Sequence, residues 1–303
     1  MGFVLNRSQL DKLSAKDPQS ISVIKPYLTG DELLEGEPPM RWLIDFQRLD
    51  MLKAMEFKGA FEHIQNTVLP QMARISSGMI REKIDEFGER MKKRQLVART
   101  GNWWQLRRCV PETVRAIESI PRYIGCSRVM KRPIFTILSS AIRPAETIAG
   151  FAFADDYSFG ILQSHIHWLW FITKCGKLKS DFRYSIDSVF DTFPWPQTAT
   201  LKQIDAVAAA ARELRRVRAG ALLKMKGGLR ALYRTLELPG ANPLKDAHAA
   251  LDAAVLAAYG FNANRICSPN SSPPTRKSPP KSKMANPSPP PAFPGIIRNL
   301  KNW

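Results

Sequence analysis

Nine Lys/Arg residues against two acids fall between positions 99 and 143. Among them Arg107, Arg122, Arg128, Lys131, Arg132 and Arg143 stand close to predicted strands and turns. Guanidinium and ammonium groups neutralise phosphates, and arginine also matches the O6/N7 edge of guanine with two hydrogen bonds. Asn or Gln does the corresponding work at adenine, which brings in Asn102 and Gln163. Gln163 and His165 read first as helix-packing polar groups and second as base readers. Lys179, Arg183 and Tyr184 form a compact set able either to hold a backbone phosphate or to fasten a connector. Trp103 and Trp104 are read as core or interface residues ahead of platforms for base stacking.

Catalytic chemistry has far weaker sequence support. The chain carries no GxGxxG, no GxxxxGK[ST] and no HExxH. His165 and His167 are two apart, so a helix points them to different faces, and His63 and His248 lack Cys or His neighbours at zinc spacing. Asp45 followed by Glu56-Phe-Lys58 loosely matches the acid and Glu-x-Lys of metal-dependent nucleases, a pattern that arises often by chance. A Ser-His-Asp set meets only in three dimensions, and no nucleophile elbow is visible. The sequence reading therefore expects no catalytic residue, no bound cofactor and no metal in this chain.

The charge total supports binding. The formal net charge is +18 in 303 residues, and a surface this basic favours polyanions, chiefly nucleic acid. Residues 263–303 hold seven Lys/Arg and no acid, which leaves +11 elsewhere. A second belt, residues 201–234, again has nine basic residues against two acids. The four cysteines are scattered, as in a reducing compartment. No apolar run reaches about 18 residues and no signal-peptide core is present, so a cytoplasmic protein with no membrane partner is expected.

The elements that would position these groups follow from periodicity. Residues 1–45 read as short strands and turns, with Arg41 to Phe46 the most strand-like, Asp31 to Leu34 a helical turn, and Phe3-Val-Leu5 the edge of a strand or loop of something larger. A long helix, bent or divided at Pro70 and Gly78, is expected from Ala60 to Val97. Pro111 opens a short helix, and strands are expected over 122–130, 134–139 and 147–153, with Arg143-Pro144 separating the last two. Residues 157–175 read as one helix capped by Asp156 or Ser158, and Phe190 to Pro196 as a packed connector. Thr200 caps a helix whose apolar stripe is Ile204, Val207, Ala211 and Leu214, with Arg212, Arg215, Arg216 and Arg218 mostly elsewhere on the surface. Further helices follow over 229–236 and 244–258, and the Pro-rich 263–303 is expected to be disordered.

The fold class is α+β: a mixed α/β domain with a small antiparallel-rich sheet, a C-terminal helical module and a tail. The expected division is 1–98 for linking strands and the long helix, 99–198 for the recognition core, 199–262 for the helical module and 263–303 for the tail.

Six phrases then carry a resemblance: Val23-Ile-Lys-Pro-Tyr-Leu-Thr-Gly30, Arg41-Trp-Leu-Ile-Asp-Phe46, Tyr157-Ser-Phe-Gly-Ile-Leu-Gln-Ser164, Leu178-Lys-Ser-Asp-Phe-Arg-Tyr184, Phe190-Asp-Thr-Phe-Pro-Trp-Pro196 and Leu238-Pro-Gly-Ala-Asn-Pro-Leu244. In their order, over residues 3–262, they resemble the C-terminal part of MmeI-like Type II restriction-modification DNA methyltransferases. The resemblance implies a target-recognition domain for double-stranded DNA, with linking and helical flanks. In complete relatives an upstream domain transfers methyl from S-adenosylmethionine to the adenine exocyclic amine at an Asn-Pro-Pro-Tyr-like motif. Neither that motif nor a glycine-rich cofactor loop is in this sequence, and Asn286-Pro-Ser-Pro289 lacks a preceding strand. The implied activity is duplex recognition without methyl transfer or cleavage of its own, with S-adenosylmethionine held by a catalytic domain or by a separate methyltransferase chain. A complete S-adenosylmethionine-dependent adenine methyltransferase, and a basic RNA-binding or structural module, are the competing readings.

Overall fold

The computed structural model describes residues 2–47, 49–83, 102–106, 111–178 and 181–261, without the side chains of 71–83, 111, 177, 178 and 181. The expectations for residues 84–97 and for the tail lie outside the described residues.

The N-terminal region is built on a four-stranded sheet. Strand β1 (Val4–Leu5) leads into α1 (Arg7–Lys16), whose Asn6 and Gln9 form a reciprocal cap. A 3-10 turn (Pro18–Val23) precedes β2 (Ile24–Leu28), α2 (Gly30–Glu35) and β3 (Arg41–Ile44). Thr29 and Glu32 cap α2, and Gly36 ends it at φ 72°, a left-handed conformation that glycine adopts without a Cβ clash. Two more helices, α3 (Met51–Glu56) and α4 (Lys58–Lys83), cover this sheet. Of the expected bend or division at Pro70 and Gly78, the division is not seen: α4 runs through both as one helix. Phe61, Ile64 and Val68, in the preceding turns, are buried against the sheet, and this anchorage outweighs the one backbone bond that proline removes. Trp103 and Trp104 join the same apolar cluster as Phe46 and Phe61, as the packing reading expected, and the Trp104 Nε1–H donates to the Leu49 carbonyl at 3.1 Å.

The central region contributes two small sheets. After α5 (Pro111–Glu118) come β4 (Arg122–Ser127), β5 (Val129–Met130), β6 (Thr136–Ser139), β7 (Arg143–Pro144) and β8 (Ile148–Phe151). Strand β4 is central to an antiparallel β6-β4-β8 sheet. The expected strand over 122–130 divides at Arg128, whose N–H donates to the Thr147 carbonyl at 2.8 Å, and β5 then pairs in a different sheet. Arg143-Pro144 is a strand rather than a separator. It pairs in parallel with β2, Tyr27 opposite Arg143, and so completes the N-terminal sheet in the order β1-β3-β2-β7. Proline is tolerated there because β7 is an outer strand.

The apolar run expected as one helix is two: α6 (Asp156–Gln163) and α7 (His165–Lys174). Asp155, not Asp156 or Ser158, caps α6, and Ser164 turns extended and caps α7, which redirects the chain between them. Strands β9 (Gly176–Leu178) and β10 (Asp181–Arg183) pair with each other, and β10 pairs with β5. A π-turn (Ile186–Phe190) opens the connector, where Phe190 and Phe193 are buried and Trp195 packs on Phe153. The last helices are α8 (Leu201–Leu222), capped by Thr200 with Gln203, α9 (Gly228–Arg234) and α10 (Pro243–Ala258).

One apolar core passes from the sheets into these helices. Val207, Ala211 and Leu214 of α8 and Leu251 and Val255 of α10 share a cluster with Phe159, Ile161 and Phe171. Burying each of the Val, Leu, Ile and Phe side chains among these is worth roughly 1.5–3 kcal/mol, so the helices belong to the folded unit. A Cβ on Gly160 would lie 2.7 Å from Val207, which explains the glycine where α6 crosses α8.

Candidate polyanion interface

The predicted basic residues separate into three environments. Arg128, Lys131 and Arg183 gather on the three-stranded ribbon β5-β10-β9. Register places Arg183 opposite Val129, both exposed, while Met130 and Phe182 face the other way and Phe182 packs on Phe171. The alternation of a strand thus turns one ribbon face to solvent and anchors the other. Lys131 is exposed just beyond β5, and the half-buried Arg128 donates from Nε to the Ile148 carbonyl at 3.4 Å. Burial lowers the Arg128 pKa, and the charge of Arg183 adds to that lowering, which marks the two cations as neighbours. Asn102 is exposed, and Arg107 and Lys179 lie outside the described residues.

A second environment lies at the other end of β4, roughly 20 Å away at about 3.4 Å per strand residue. Here Arg122 donates from Nε to the Ala154 carbonyl at 2.8 Å and reaches the Asp156 carboxylate at 3.4 Å. Arg212, at 3.3 Å, and Arg215 bond the same carboxylate. Arg212 and Arg215 are three apart on α8 and share a face. The two basic belts of the sequence meet here, one arginine from the first and two from the second. Sequence reasoning named Arg122 as a candidate contact and left Arg212 and Arg215 as general surface charge of the second belt. Their spacing was the available signal, but nothing in the sequence tied it to Asp156.

The third environment is interior: it buries Arg143 and Tyr184 away from the surface and bears out the packing reading of Gln163 over the base-reading one. Arg143 is buried between two acids: Nε donates to Asp45 at 2.6 Å and Nη2 to Glu118. Burial alone would lower its pKa, but the bond and charge of Asp45 and the charge of Glu118 outweigh burial and raise it. This pairing also removes Asp45 from any nuclease-like set. Gln163 is buried and accepts at Oε1 from the Phe135 N–H and from Arg218 Nη2, both at 2.9 Å. Tyr184 is fully buried, stacked on Phe171 with its hydroxyl 3.1 Å from His167 Nε2. None of the three presents its polar group to an external partner, because each is engaged inside the core.

Arg132 is intermediate. Its guanidinium lies 4.7 Å from the Trp168 ring centroid and 5.7 Å from that of Tyr233, a cation-π arrangement that ties the loop after β5 to α7 and α9. Arg218, expected mostly on the surface, is buried instead. It donates to the Phe135 carbonyl at 2.6 Å, to Gln163 and to the Tyr233 hydroxyl, polar groups that replace its water. His167 is buried and His165 exposed, as their two-residue spacing implied.

Among the described residues no group of three or more His, Cys, Asp or Glu could hold a metal ion, and no helix is long and apolar enough to cross a membrane. Cys126 is a free, buried thiol.

Small sheets, a basic ribbon and a helical buttress define an α+β module. The chain belongs to the family "MmeI, target recognition domain", which matches residues 1–197. What is matched is a DNA target-recognition domain, not a catalytic one. The chain is also similar to DNA methyltransferase A of Bacillus subtilis (strain 168), 34% identical over 108 residues, covering 35% of this chain and 11% of that protein. Its fold is similar to that of the Type IIL restriction-modification enzyme MmeI, solved in complex with DNA, with a TM-score of 0.61, 19% identity, and coverage of 89% of this chain and 32% of that one. That coverage exceeds the family match, so the fold likeness extends into the C-terminal helices. The chain thus spans a minority of the length of both relatives.

Proposed function

We propose that this chain reads a sequence in double-stranded DNA on behalf of a MmeI-like restriction-modification adenine methyltransferase. The observation that carries the reading is the family match over residues 1–197, supported by a DNA complex of a protein with the same fold. The strands of residues 120–153 and their neighbouring loops read bases, and the C-terminal helices brace them and add phosphate contacts. Arg128, Lys131 and Arg183 are the ribbon residues assigned to DNA, with Asn102, Arg107 and Lys179 beside them in the assignment; Arg132 positions the Lys131 loop. Phosphate contacts set register and orientation, while base edges carry the sequence information. S-adenosylmethionine and methyl transfer belong to a catalytic domain or a methyltransferase chain working with this one, in the cytoplasm.

The test is binding of the purified chain to a mixture of duplexes at two salt concentrations. Enrichment of one sequence that persists as salt rises is expected, since the phosphate contribution falls with log salt and the base contribution does not. Equal affinity for every duplex overturns sequence reading.

A further inference from the structure

The Asp156 cluster has a charge ratio found nowhere else among the described ion pairs. One carboxylate, 11% exposed, is shared by Arg122, Arg212 and Arg215, whose side chains are 37%, 57% and 27% exposed. The surface pairs Arg7–Asp11, Lys16–Glu62, Arg216–Glu213 and Arg230–Asp31 are one to one. Three guanidinium groups on one acid leave a local charge of +2, and like charges three apart on a helix repel.

The acid lies inside and the cations around it, so the excess charge faces outward. Each guanidinium has five N–H donors, and Asp156 and the Ala154 carbonyl occupy only a few of them. The buried Nε of Arg215 bonds none of the described residues. Burial lowers the Arg215 pKa, Asp156 opposes this, and Arg122, Arg218 and Arg212 each add to the lowering. The positive potential at this point is therefore under-compensated.

We propose that Arg122, Arg212 and Arg215 together bind one backbone phosphate of duplex DNA, with Asp156 holding the three guanidinium groups in place beforehand. Planar forks suit a phosphate that accepts on several oxygens. With the ribbon at the far end of β4, this site gives the duplex a second point of attachment. The proposal rests on the recognition reading above and deepens it by assigning a backbone-positioning site to α8.

The experiment measures affinity for one duplex across a salt series, for the whole chain and for Arg212→Gln, Asp156→Asn and Arg216→Gln. Arg216→Gln makes the same charge change on the same helix, but at a residue paired with Glu213 outside the cluster. Arg212→Gln is expected to reduce the slope of log affinity against log salt by about 1, and to weaken all duplexes in equal proportion. Asp156→Asn keeps an acceptor and removes the competing charge, so affinity rises. The proposal is overturned if Arg212→Gln and Arg216→Gln behave alike while both retain the thermal midpoint of the unaltered chain. Should the unaltered chain bind duplexes without these differences, only the phosphate site falls. Failure of the unaltered chain to bind any duplex at low salt removes both readings.

Discussion

Arg143 and Asp156 are centres of opposite arrangements. At Arg143 one cation is held by two acids in the interior, where the side chains of Arg143 and Asp45 are 5% and 7% exposed. At Asp156 one acid is held by three cations at the rim. The first is closed: Asp45, Glu118 and the Ser140 carbonyl take up the guanidinium donors at the seam where β7 joins β2. The second is open, with donors and charge to spare. The same residue type therefore fastens the fold in one region and leaves a charge unsatisfied in the other, and the ratio of acids to arginines decides which.

The largest way to break this comparison is at the closed centre. Arg143→Ala strands two acids in and near the core, and breaking a buried pair in this way costs about 3–5 kcal/mol. Denaturant unfolding should show it, and a loss below about 1 kcal/mol, the range of surface pairs, would place Arg143 with the open cluster instead.

Acid offers a second test, because two interior histidines are held neutral. Burial drives His167 to about 3, and burial with the charges of Arg132 and Arg218 drives His248 to about 3, both from 6.5. The unfolded chain takes up these protons below 6.5 and the folded chain does not until about 3. Their stabilising effect is thus complete above 6.5 and is lost progressively as pH falls towards 3. Each histidine contributes a slope approaching about 1.4 kcal/mol per pH unit within that window. His248→Gln should remove one of the two contributions to the slope of unfolding free energy between pH 6 and 4; an unchanged slope would show that His248 titrates normally.

The smallest effect is expected at an exposed one-to-one pair. Arg230→Ala, which loses the bond to Asp31, should change stability by less than about 1 kcal/mol. An effect as large as that of Arg143→Ala would remove burial as the explanation of the difference.

Local chemistry was legible in the sequence where the determinants are neighbours. The Thr200 cap, the strands around Gly125 and Ile148, and the packing of Trp103 and Trp104 follow from residues within a few positions or from apolar content alone. The arginines were not legible in that way. Arg143 meets Asp45 across 98 positions and Arg215 meets Asp156 across 59, so their roles are set by topology. Packing was the first reading of Gln163, but the partners of Gln163 and Tyr184 were not legible, because the carbonyls, amides and His167 that satisfy them come from distant elements. Ser164 is a quieter case: one side-chain cap divides an apolar run that periodicity treats as continuous.

The pairing of Tyr27 with Arg143 and of Leu28 with Pro144 also constrains how the chain is made. As the polypeptide leaves the ribosome, the outer side of Tyr27-Leu28 at the end of β2 stays open until Arg143 has emerged, and parallel contacts between such distant segments form slowly. A translation product stopped short of that point carries an uncovered row of amides and carbonyls able to accept a strand from any neighbouring nascent chain. Two residues, arriving late, seal it.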